Sequence, residues 1–134
     1  LRVYNITMKV LIIEDDKFMA ESLAIKFKEA GFAIAHLENG GQAVKETIAQ
    51  KPEVVILDIL LPGKNGFEVL KELKEKEETK NVPVIIVSNL GSREDFEKGS
   101  RLGASGFMVK ATVVPEDVVA KAKQVIAGVI TESR

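Results

Sequence analysis

Six polar residues stand directly behind short apolar runs. Glu14, Asp15 and Asp16 follow VLII, Asp58 follows VVIL, Ser88 follows VIIV, and Lys110 follows FMV. Carboxylates brought into one crevice repel, by roughly 4 kcal/mol for two unit charges ~4 Å apart at an effective dielectric near 20. Either one carboxyl keeps its proton or a hard cation sits among them. The chain has no Cys and a single histidine, His36, so disulfides, thiolate metal sites and cysteine nucleophiles are excluded and a metal must be held by oxygen. Mg²⁺ with several retained waters suits such a set. The cation is favoured over the proton because the same place is built to receive an anion. Lys110 is a compact charge for a phosphate oxygen, and Ser88 offers a hydroxyl donor. Asp58 is then the carboxylate nucleophile, accepting a phosphoryl group as an acyl phosphate.

Each of these residues also has a plainer role. Asp16 suits the cap of a following helix, Asp58 a turn, Ser88 a local cap, and Lys110 a solvated charge on a buried stem. Only their joint placement on one crevice carries the chemistry, so the elements that position them decide the matter.

Strand-like runs rich in Val and Ile occur at Met8 to Ile13, Phe32 to Leu37, Glu53 to Asp58, Val82 to Val87 and Ser105 to Val109. The runs VLII, VVIL and VIIV are continuous rather than alternating, as expected of central strands in a parallel sheet covered on both faces. Between the runs lie helical patterns, with Met19, Leu23 and Phe27 in one stripe and Val118, Ala122, Val125 and Val129 in another. Gly31 and Gly103 stand where helices should stop, Ser92 with Asp95 forms a capping pattern, and Pro115 suits a first helical turn. Five βα units joined this tightly predict an α/β fold, a doubly wound five-stranded parallel sheet with helices on both faces. Ligands then bind beyond the carboxyl ends of the strands, where the six residues stand. The second strand ends in His36 and Leu37 without a comparable group, as an edge position would explain.

Composition agrees with a single domain. Of 134 residues 46% are apolar and 29% charged, and 19 Lys and Arg nearly cancel 20 Asp and Glu. There is no field to hold nucleic acid or an anionic membrane, and no stretch of ~20 apolar residues to span one. A cytoplasmic location is expected. Residues 1–7 precede Met8 and are expected to form a flexible extension, followed by one domain over 8–130 and a tail of 131–134.

VLIIEDD, VVILDILLPGKNGFEVL, VIIVSNLG and GASGFMVKA together resemble the receiver domains of two-component response regulators, from Met8 to the end of the last helix. The resemblance implies a flavodoxin-like (βα)5 sheet of order 2-1-3-4-5. It implies Mg²⁺ bound by Asp15, Asp58 and the backbone carbonyl of Leu60, with Glu14 acting through water. Asp58 would be the phosphoacceptor, Lys110 the phosphoryl contact, Ser88 the switch hydroxyl, and Phe107 the aromatic that fills the space Ser88 leaves. The donor would be a sensor histidine kinase or a histidine phosphotransfer protein, and the output a change of shape read by a protein partner. The chain would act as a monomer or as an activation-dependent homodimer, not as a turnover enzyme. Pro62 and Gly66 look like the family's turn, Gly66 through positive φ or close approach.

Three departures from the pattern stand out. Asn89 follows Ser88 where a small residue is usual, Ala111 follows Lys110 where Pro is frequent, and Leu60 and Leu90 flank the acceptor where fast-cycling members carry polar residues. The two leucines predict slow self-dephosphorylation. The segment LGSREDFEKGSRLGAS should form a weakly tethered fourth helix, with Phe96 and Leu102 as its large apolar anchors and Gly99 inside. A phosphoryl-transfer hydrolase of similar fold is disfavoured, since Ile59, Leu60 and Leu61 follow Asp58 and no second acid does. A nucleotide-binding module lacks its glycine-rich loop. A relay receiver, or a receiver cut from a longer regulator, remains open beside a stand-alone one.

Overall fold

The computed structural model describes residues 7–132. Five parallel strands, β1 (Lys9–Ile13), β2 (Ala33–Leu37), β3 (Val54–Leu57), β4 (Val84–Ser88) and β5 (Gly106–Val109), form one sheet of order β2-β1-β3-β4-β5. Five α-helices alternate with them: α1 (Lys17–Glu29), α2 (Ala43–Gln50), α3 (Gly66–Glu75), α4 (Arg93–Arg101) and α5 (Pro115–Glu132). Both the doubly wound class and the strand order match expectation, and β2 lies at an edge. The expected strands are trimmed by one or two residues. Pro83 has no N–H to donate, so β4 opens at Val84 and runs on to include Ser88.

Side chains leave each central strand in alternation and feed two cores. Val10, Ile12, Val54, Ile56, Ile85 and Val87 pack beneath α1 and α5, against Leu23, Phe27, Val118 and Ala122. Leu11, Ile13, Val55, Leu57, Val84 and Ile86 face the other layer, against Phe67, Leu70 and Leu73 of α3. With β1, β3 and β4 buried on both faces, the register is pinned, because a slip of one residue exchanges the two cores.

Helix punctuation follows the sequence at most ends. Asp16 accepts a hydrogen bond from the Met19 amide at the start of α1, and Ser92 with Asp95 makes a capping box on α4. Pro115 opens α5. Gly31 and Gly103 adopt φ of 93° and 98° after α1 and α4. Lys51 takes φ 50° after α2, a left-handed end that no glycine announces. Helix α5 continues through Glu132, past the domain end expected at residue 130. The extension expected at residues 1–7 lies outside the described residues except for Thr7, as do the last two residues of the expected tail.

Candidate functional site

The carboxyl ends of β1, β3, β4 and β5 bring five of the six residues into one crevice. Glu14 and Asp15 leave β1, Asp58 leaves β3, Ser88 ends β4, and Lys110 leaves β5. The parallel ladders enforce this: Ile13 pairs with Leu57, so Glu14 and Asp58 emerge side by side, and Ser88 pairs with Val109, so Lys110 follows one residue beyond it. Carboxylate oxygens of Glu14, Asp15 and Asp58 all lie within 4.8 Å of one another. Asp16 turns away to its helix cap.

Burial makes this cluster strongly electrostatic. Glu14 is 2% exposed, Asp58 4% and Ser88 0%, whereas Asp15 faces solvent. Lys110 Nζ bridges the buried pair, 2.6 Å from Glu14 Oε1 and 2.9 Å from Asp58 Oδ2. Burial, aided by the charge of Asp58, pushes the Glu14 carboxyl up to about 7 despite the opposing Lys110 hydrogen bond. Burial would lower Lys110, but its hydrogen bonds to Glu14 and Asp58 outweigh that and raise it above the ordinary lysine value. The lysine therefore stays charged at neutral pH, and Glu14 exchanges its proton near neutrality.

Backbone donors complete the crevice. The Leu60 amide donates to Asp58 Oδ1 at 3.3 Å, the Asp16 amide to Glu14 Oε2 at 3.1 Å, and the Leu90 amide to Ser88 Oγ at 3.4 Å. Leu60 holds its side chain 55% exposed at the rim. Gly66 is needed for close approach rather than for positive φ: a Cβ there would stand 2.3 Å from the Asp58 carbonyl oxygen and 2.6 Å from Ile59 Cα. The positive φ of this loop belongs to Gly63, at 81°. Phe107 lies on β5 beside Ile86, two residues before Ser88 on the neighbouring strand, with its ring edge-on to Phe96.

Several supporting contacts escaped the sequence reading. His36 Nε2 donates to the Glu14 carbonyl at 2.8 Å, so the edge strand steadies the acidic loop after all. The Gly40 amide donates to the Pro62 carbonyl at 3.1 Å, and a Cβ at Gly40 would strike the Lys64 carbonyl oxygen at 2.2 Å. Lys64 in turn pairs with Glu72 at 2.7 Å. The ENGG run at residues 38–41 was the available signal, since Asn-Gly pairs mark tight turns.

The crevice suits a hard divalent cation. Its donors are oxygens, two of its three carboxylates are buried, and one carboxylate opens to solvent for waters to complete a shell.

The family model for the response regulator receiver domain matches residues 10–123. Protein PilH of Pseudomonas aeruginosa is 33% identical over 90% of this chain and 98% of its own length. The transcriptional regulatory protein CusR of Escherichia coli (strain K12) is 33% identical over 95% of this chain and 56% of its own. The chain spans about half the length of most of the curated relatives it matches. A CheY-like response regulator receiver domain protein from Methanospirillum hungatei JF-1 superposes with a TM-score of 0.87 over 95% of this chain and 99% of its own, at 21% identity, and shares the fold. Fold, crevice and family model agree: the chain belongs to the response regulator receiver domain family, whose general function is a phosphorylation switch.

Proposed function

We propose that Asp58 is the phosphoacceptor of this switch. The observation that carries the reading is the position of the Asp58 carboxylate: buried, 2.9 Å from Lys110 Nζ, and within 4.8 Å of two further carboxylates at the carboxyl ends of the strands. A carboxylate so placed attacks the phosphorus of a phosphohistidine on a sensor kinase or phosphotransfer protein. The new P–O bond forms as the P–N bond breaks, and the departing imidazole nitrogen takes up a proton. Asp15, Asp58 and the Leu60 carbonyl would hold Mg²⁺, with Glu14 reaching it through water. When bound, that cation supplies charge neutralisation for the incoming phosphoryl oxygens.

The chain's own groups do the rest. Lys110, held between Glu14 and Asp58, is free to follow the charge onto a phosphoryl oxygen without leaving the crevice. Ser88 donates its hydroxyl to the same group and vacates space on the α4 side of the sheet, into which the Phe107 ring moves. The output is a changed surface read by a protein partner in the cytoplasm, with the chain as monomer or activation-dependent homodimer.

Near-complete overlap with PilH supports a stand-alone regulator. Overlap with only about half of CusR supports a second reading, a receiver unit of a longer regulator or relay. The experiment that tests the acceptor is intact-protein mass spectrometry after incubation with acetyl phosphate. A single phosphoryl gain that needs Mg²⁺ and disappears in Asp58→Asn supports it; a gain unchanged in Asp58→Asn refutes it.

A further inference from the structure

Helix α4 touches the domain through very little of its own surface. Gly99 is its one buried residue, and Phe96 is 38% exposed. The missing side chain at Gly99 leaves a seat. A Cβ there would stand 3.0 Å from Ile86 Cδ1, and 3.1 and 3.5 Å from Phe107 Cδ2 and Cε2. Phe96 closes on the same ring edge-on, with centroids 4.6 Å apart at 67°. Beside the ring lies a cavity of about 220 Å³ lined by Phe96, Ser100, Ala104 and Gly106.

We infer that Gly99 is a positioning residue of the switch: the bare backbone at Gly99 seats the Phe107 ring beside Ile86, so displacement of the ring removes one of the two side chains on which the single buried residue of α4 rests. The inference rests on the reading of Ser88 and Phe107 proposed above. A glycine inside a helix weakens it relative to alanine, so the feature that admits the ring also weakens the helix that must respond. Ile86 is fully buried and meets position 99 whether or not the switch has turned, whereas the Phe107 ring leaves the seat for the space that Ser88 vacates. Crowding at position 99 therefore falls on the ring, and it destabilises the seated state selectively.

The test measures binding of beryllofluoride with Mg²⁺, a mimic of the acyl phosphate, to the full chain. Gly99→Ala should tighten binding by about fivefold, the low end of ordinary coupling factors. The same substitution in a Phe107→Ala background should change binding less than about twofold, because the crowded group is gone while the helix-propensity gain is retained. Phe96→Ala, which loosens the seat from its open side, should move the affinity in the same direction as Gly99→Ala. An equal effect in both backgrounds, no effect, or weaker binding overturns the role of Gly99 while leaving Asp58 as acceptor. Failure of the parent chain to bind beryllofluoride overturns both readings.

Discussion

Replacing Lys110 with methionine removes the cation that bridges two buried carboxylates, and the consequence depends on pH in a way that the geometry fixes. Two losses combine. Asp58, 4% exposed, loses its partner at 2.9 Å; breaking such a pair costs about 3 kcal/mol, the low end for buried ion pairs because the lysine keeps some solvent contact. The second loss belongs to Glu14. With both carboxylates ionised within 4.8 Å, repulsion at an effective dielectric near 20 amounts to about 3.5 kcal/mol. The protein escapes by keeping a proton on Glu14, whose pKa is already about 7 and whose Lys110 hydrogen bond is the largest influence holding it down.

In the variant the Glu14 pKa therefore rises further. Above pH 7 the folded variant holds a proton that both the folded parent and the unfolded chain have released, so its stability falls relative to the parent as pH rises. The slope is about 1.4 kcal/mol per pH unit, until the repulsion limit is reached. Urea denaturation in the presence of a chelator, at pH 6, 7 and 8, reads this directly. The expected loss is about 3 kcal/mol and flat below pH 7, growing by roughly 1 kcal/mol or more at pH 8. An equal loss at all three values would refute control of Glu14 by Lys110, and a loss under about 1 kcal/mol throughout would refute the buried pair itself.

Other consequences follow from the same geometry. Glu14 must lose its proton to favour a cation, so Mg²⁺ affinity should fall about tenfold per pH unit below 7, with proton release visible by calorimetry in buffers of different ionisation enthalpy; a flat affinity from pH 8 to 6 contradicts the raised Glu14. Gly66→Ala forces a methyl into the Asp58 carbonyl and the Ile59 backbone, and should cost about 3 kcal/mol in denaturant melts together with most phosphoryl uptake; unchanged stability would show that the loop relaxes freely. Leu60 and Leu90 offer no side-chain group to orient a water, so the phosphorylated chain should persist for minutes or longer by mass spectrometry, and a lifetime of seconds would contradict that reading.

The parts legible in the sequence are those set by local chemistry. Continuous runs such as VVIL announce strands covered on both faces, and Asp16, Ser92 and Pro115 mark helix starts by mechanisms confined to one turn. The six polar residues were findable because each stands at the end of such a run. Long-range contacts were not legible in the same way. Nothing local to Lys51 announces its left-handed ending of α2. The bond from His36 to the Glu14 carbonyl depends on the β1–β2 register, which a strand pattern leaves open. That Lys110 bridges Glu14 as well as Asp58, at 2.6 and 2.9 Å, depends on how the ends of β1, β3 and β5 are brought together. Gly66 was understood to be necessary, but only packing separates the close approach it provides from the positive φ that falls to Gly63.

The identity of the acceptor is tested most directly by trapping the acyl phosphate chemically. Borohydride reduction after exposure to acetyl phosphate and Mg²⁺, followed by peptide mapping, converts an aspartyl phosphate to homoserine at its own position. The account predicts homoserine at residue 58 alone, with Asp15 and Glu14 unmodified. Conversion at Asp15, or none at residue 58 in a chain that has gained a phosphoryl group, would contradict it.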